Sequence, residues 1–161
     1  MDVLDVEIDR HPWSEMGCGC GRSGEHIPMD FLRSLEAPPP ERAGEGWADG
    51  HAFVQSNLTQ PAVATASIIM AALVRGVPGA HHRQLMLVLH ALVNGEQDDT
   101  ADECLRVVRG GIWSLYEEIA SARNIDAAAY AFEILEQIEE ESDRLADYRS
   151  KIRDNLPADL W

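Results

Sequence analysis

Apolar positions in this chain recur at helical spacing, and between residues 61 and 155 no stretch alternates as a strand would. Leu105, Val108, Ile112, Leu115 and Ile119 follow one another at steps of three or four residues, the stripe of an amphipathic helix. The segment 61–75 is apolar nearly all round, which predicts a helix buried on every side. Leu85, Leu89 and Leu92, with Met86, Val88 and Val93 beside them, predict a helix over 80–93. Ala128, Phe132, Leu135 and Ile138 predict another over 125–139, and Leu145, Tyr148 and Ile152 a last one over 142–155, capped by Ser142.

Punctuation residues divide the pattern. Pro38-Pro39-Pro40 stops a helix over 28–36, whose apolar side is Phe31, Leu32 and Leu35. A second helix is expected over 41–58, regular from Trp47, where Trp47, Phe53, Val54 and Leu58 make a partial stripe. Thr59 is the expected N-cap of the next helix, with Pro61 in its first turn. Gly76-Val77-Pro78-Gly79 and Asn94-Gly95 end the following two, the latter with glycine suited to a left-handed residue. Thr100 and Glu103 have capping-box spacing at the start of the fifth helix. Gly110-Gly111 interrupts that helix, as a kink or as a place where another part of the chain comes close.

Short turns between helices make consecutive helices antiparallel neighbours. The expected fold is therefore all-α: a short α-solenoid of about three antiparallel helix pairs over residues 27–161, preceded by an irregular arm over residues 1–26. The arm is glycine-rich at Met16–Gly24 and carries Val3, Leu4, Val6, Ile8 and Trp13 as anchors for the body.

Composition sharpens this picture. The chain has 161 residues and a formal net charge of −15. So acidic a chain repels a nucleic-acid backbone, which excludes nucleic acid as the expected partner. No Asp or Glu occurs between Pro61 and Gly95, so the middle helices should be the most buried, with acidic elements on either side. No apolar run reaches the ~18 residues that cross a bilayer, and the acidic start lacks a signal-peptide pattern. Three cysteines, Cys18, Cys20 and Cys104, do not make a disulfide framework. A cytoplasmic protein without membrane attachment is the expectation.

In order along the chain, Trp13-Ser14, Ile27-Pro28 with Leu32 and Leu35, and Asn57-Leu58 precede Ala64-Thr65-Ala66 at the start of a long apolar helix. Arg83 with Leu85, Leu87 and Leu89 comes next, then Cys104 ahead of a helix carrying Gly111. In these features residues 11–140 resemble actinobacterial HEAT-like repeat proteins. The chain departs from the family pattern at Asn57–Gln60, where a His-Gln-Gly-Thr-like run is usual, and at Met70-Ala71-Ala72, where a proline is usual. The resemblance implies a stack of helix pairs that presents a surface to another macromolecule. It gives no residue a catalytic role.

Candidate chemistry is sparse. Cys18, Cys20 and His26, with His51 as a further candidate, have the ligand types of a zinc site. The single residue between the cysteines is fewer than the two to four of established fingers, and the competing reading is a glycine loop with two thiols. No metal and no cofactor is therefore expected. His81, His82 and His90 read as surface histidines. Cys104, placed in a first helical turn where the dipole lowers a thiol pKa, reads as a small buried residue. Glu133, Glu136, Glu140 and Asp143 form an acidic patch around the last inter-helix turn and are the candidates for binding a partner. No nucleotide loop, nucleophile elbow or zinc-protease motif occurs.

The function expected is a non-enzymatic protein-interaction module, immunity- or adaptor-like, whose acidic helical surface docks a basic protein. The alternative is an accessory enzyme or small-ligand-binding protein of a biosynthetic or resistance pathway. In it the glycine-rich arm would lid a pocket lined by Trp47, His51, Gln55, Asn57 and Gln60.

Overall fold

The computed structural model describes all 161 residues and is mostly helical. Eight α-helices run in chain order: α1 (Val3–Asp9), α2 (Ile27–Glu36), α3 (Ala62–Arg75), α4 (His82–Val93), α5 (Asp98–Arg109), α6 (Ile112–Ala120), α7 (Ile125–Glu136) and α8 (Ser142–Ile152). Two short strands, β1 (Phe53–Val54) and β2 (Asn57–Leu58), form an antiparallel hairpin in the register Phe53↔Leu58. No helix is long and apolar enough to cross a membrane.

The acid-free stretch is the centre of the molecule. Along α3, Ala62, Ala66, Ile68, Ile69 and Ala72 have no solvent exposure, and along α4 neither have Leu85, Met86, Leu89 and Leu92. α3 lies against α1, α4 and α5, and α4 also against α5 and α7. α6 contacts α3, α7 and α8. Alanines at 127, 128 and 131 are fully buried on α7, and their small side chains let α4 and α6 approach it.

Several expectations are corrected. The expected second helix over 41–58 is absent: turns run from 41 to 52, and the hairpin follows. Gly44 and Gly46 adopt φ of 76° and 87°, left-handed values that no α-helix contains. The amides of Trp47, Ala48 and Asp49 all turn back to the carbonyl of Gly44. Trp47 is nevertheless fully buried, 4.6 Å from the Phe31 ring of α2. The aromatic pair, and not a helical stripe, fastens this segment to the body.

The first residues of the arm are also more regular than expected. Asp2 accepts from the amides of Leu4 and Asp5, and Asp5 accepts from Asp2, so a capping box starts α1. Leu4 and Trp13 are buried as anchors, whereas Val3 and Val6 remain exposed. The capping box read at Thr100 does not form, because α5 begins two residues earlier at Asp98. Thr59 does not cap α3; its hydroxyl donates to the carbonyl of His51. Ser142 is the first residue of α8 and not its cap. The interrupted fifth helix is two helices, α5 and α6, and a Cβ on Gly111 between them would come within 2.7 Å of Met70 Cε on α3. Gly95 has no left-handed φ. It is small because the Leu58 side chain fills the space a Cβ would need.

Candidate metal centre

The glycine-rich loop folds back on itself. Gly17 and Ser23 pair as an antiparallel bridge, Cys18 N–H donates to Arg22 O at 2.8 Å, and Gly21 N–H to Cys18 O at 3.0 Å. The loop then docks on residues 50–54. Gly19 N–H donates to His51 O at 2.9 Å. A Cβ on Gly19 would meet Val54 Cγ2 at 2.7 Å and the carbonyl oxygens of Gly50 and His51 at 3.0 Å. The residue between the two cysteines is thus glycine because another stretch of backbone passes there, and that stretch carries His51.

His26 enters from the turn that leads into α2. One helical turn further on, Asp30 Oδ2 lies 2.9 Å from its Nδ1, so Nδ1 carries the proton and donates. Nε2 is left as the lone-pair nitrogen, 3.6 Å from Cys20 Sγ. His51 Nδ1 lies 3.3 Å from Cys18 Sγ. The two imidazole rings meet edge to face with centroids 4.8 Å apart.

Donor atoms of Cys18, Cys20, His26 and His51 all lie within 4.8 Å of one another. With Zn–S near ~2.3 Å and Zn–N near ~2.0 Å, a tetrahedral ion would hold sulfur and nitrogen about 3.5 Å apart. The two S···N separations of 3.3 and 3.6 Å fit that edge. Two thiolates and two imidazoles are the donor set of zinc rather than of magnesium or calcium. A carboxylate on the remote nitrogen of a ligating histidine fixes the ring's tautomer and orientation, the position Asp30 holds on His26.

The thiols are unequal. A hydrogen bond from the Arg22 backbone, helped by Cys18, the Arg22 side chain and His51, draws Cys20 down to about 5. Burial pushes Cys18 up. One thiolate is thus present at neutral pH, beside a thiol that releases its proton when a cation arrives.

The remaining candidates fall elsewhere. None of the five expected pocket residues lines a cavity, and of them only His51 belongs to the cluster. Trp47 is core, Gln60 Oε1 accepts from Gly17 N–H, Asn57 Oδ1 accepts from Gln97 Nε2, and Gln55 is a turn residue with φ of 56°. In the acidic patch, Glu133 pairs with His90 at 2.7 Å, Glu136 with Arg149 at 3.1 Å and Glu140 with Arg109 at 2.8 Å; Asp143 has no such partner. His81 and His82 are buried, contrary to the surface reading. Cys104 is fully buried and lies seven residues into α5, beyond its first turn, so burial drives its thiol up to about 12.

Two features escaped the sequence reading. Asp30 is not among the candidates above, although His26 and Asp30 stand at the i, i+4 spacing of a hydrogen-bonded pair. Glu118 was not singled out, although it falls between Leu115 and Ile119 on the inward stripe. Comparison with protein-family models, with curated proteins and with solved structures finds no match to this chain.

Proposed function

We propose that this is a zinc-stapled, non-enzymatic interaction module. Cys18, Cys20, His26 and His51 take one zinc-class ion, which pins the glycine-rich loop and the start of α2 to the segment carrying the hairpin. Four protein ligands leave no open position for a substrate or water, so the ion's role is structural. The observation that carries the reading is the convergence of these four donor atoms within 4.8 Å from three separate stretches of chain.

The helical body, in this reading, is a HEAT-like stack. Its support is the pattern of neighbours. If α5 and α6 count as one broken helix, each helix from α3 onward touches the next and the next but one. Such contacts suit two layers of stacked helices. The net charge of −15 favours a basic protein as the docking partner. Docking on the patch at Glu133, Glu136 and Glu140 would have to displace His90, Arg149 and Arg109, so the unpaired Asp143 is its most available carboxylate.

The metal is tested by elemental analysis of protein purified under reducing conditions without chelator, and by cobalt substitution. One equivalent of zinc, and a cobalt spectrum with thiolate charge-transfer and tetrahedral ligand-field bands, are expected. Protein that remains metal-free with added zinc, its thiols all titrating freely, would overturn the reading. The interaction half is tested by salt-sensitive recovery of a basic protein from the source cells. If that protein binds an Asp143→Asn variant as well as the parent, the patch is not the contact.

A further inference from the structure

The largest cavity, about 550 Å³, lies at the far end of α3 from the cysteine loop, between the C-terminus of α3, the start of α4 and the side of α6. Its volume is that of a small-molecule site. Its wall holds Glu118, only 1% exposed, whose carboxylate accepts from His82 Nδ1 at 2.7 Å and from Arg123 Nη1 at 3.1 Å. Taking a carboxylate out of water is costly, and a buried ion pair rarely repays that cost in stability alone.

The hydrogen-bond inventory decides what the cleft can accept. Glu118 Oε2 at 2.7 Å and Arg123 Nη1 at 3.1 Å both face His82 Nδ1. The carboxylate is the nearer and Arg123 has the Glu118 and Glu117 oxygens to donate to, so we assign the Nδ1 proton to the Glu118 contact, which makes Nε2 a lone-pair acceptor with no partner in the protein. Arg123 also donates to Glu117 at 3.2 Å, so the one guanidinium on this wall is shared between two carboxylates. An anion would meet a surplus of negative charge and no free cation. A ligand that brings N–H donors and positive charge finds Nε2 of His82 and the spare lone pairs of Glu117, which is largely exposed. At the rim stands Trp113, 62% exposed, an unusual position for the largest apolar side chain. Arg144 already lies 4.8 Å from this ring's centroid, so the indole takes a cation in the protein itself.

We propose that this cleft binds a small organic amine. Its ammonium group sits between His82 Nε2 and the Glu117 carboxylate, and its apolar part lies against Trp113 and Val77. The site shares no residue with the cysteine–histidine cluster, so it stands or falls independently of the zinc reading.

The test titrates full-length, isotope-labelled protein with benzylamine and follows the Trp113 indole N–H by NMR, with benzyl alcohol and benzoate as controls. Saturable shifts with the amine are expected, with at least about tenfold weaker binding of both controls, in line with one charge-assisted contact. Glu117→Gln and Trp113→Leu are each expected to weaken the amine by about tenfold. Both residues are exposed, so these variants should fold, and an unchanged helical circular dichroism spectrum checks that they do. No saturation at millimolar amine overturns the proposal, as does benzoate binding equally well or indifference to both substitutions.

Discussion

Asp30 Oδ2 sits 2.9 Å from His26 Nδ1, and through that contact it presents the opposite nitrogen of the ring to Cys20 Sγ at 3.6 Å. Asp30 is not one of the four clustered donors; in the proposed site it orients one of them. Asp30→Asn is expected to lower zinc affinity by about 10- to 100-fold while leaving the melting temperature of the metal-free protein nearly unchanged. Competition against a chromophoric chelator measures the first and calorimetry the second. An affinity equal to the parent's would remove Asp30 from the site.

The two classes of cysteine should separate chemically. In metal-free protein Cys20, exposed and held at about 5, should react quickly with iodoacetamide at neutral pH, whereas Cys104, buried and held at about 12, should not. Because the Cys20 value lies below that of an ordinary thiol, its thiolate persists as pH falls and is lost only near pH 5. Zinc should therefore stay bound through mildly acidic conditions and leave as pH drops through that region. Zinc should protect Cys20 from alkylation, and mass spectrometry of labelled peptides reads each cysteine separately.

Gly19→Ala should be costly out of proportion to one methyl group. The new carbon would meet two carbonyl oxygens at 3.0 Å, and backbone cannot step aside as a flexible side chain can. A loss of about 1–3 kcal/mol is expected, together with weaker zinc binding, because the loop must lift away from His51. Gly95→Ala offers a contrast. There the obstacle is the Leu58 side chain, so Leu58→Ala in the same chain should recover much of the loss. A double-mutant cycle in urea melts measures the coupling, and strict additivity would contradict the packing described.

Removing zinc should loosen one region and spare another. A chelator is expected to raise amide exchange and proteolysis at residues 16–26 and 47–56. Protection should persist in α3 and α4, whose side chains are the most buried in the chain and which supply none of the ligands. Equal loosening throughout would mean that the ion holds the whole fold.

The helical body was legible because its signals are local. An apolar stripe, an absence of acids and a glycine pair are visible within a dozen residues, and α3 to α8 lie close to where they predict. Residues 41–58 were misread because Trp47, Phe53, Val54 and Leu58 imitate a stripe, while the left-handed glycines among them decide the backbone. The metal cluster was only half legible. Cys18, Cys20 and His26 stand close in sequence, but His51 joins them through a backbone approach that no spacing rule encodes. His82 looked like a surface residue because the carboxylate that makes its burial tolerable, Glu118, lies 36 positions away.

The route by which His51 reaches the cluster sets an order of events. Its segment is held by Trp47 on Phe31 and passes close to α4 at Gly44, where an added Cβ would lie 3.0 Å from Val88 Cγ2. A chain that has not yet assembled α4 offers the ion two thiols and one imidazole, with the fourth corner of the tetrahedron missing. Tight metal capture then belongs to the end of folding, and the ion acts as an inspector that accepts only finished molecules. In a refolding time course, the cobalt ligand-field bands should rise after helical circular dichroism has recovered.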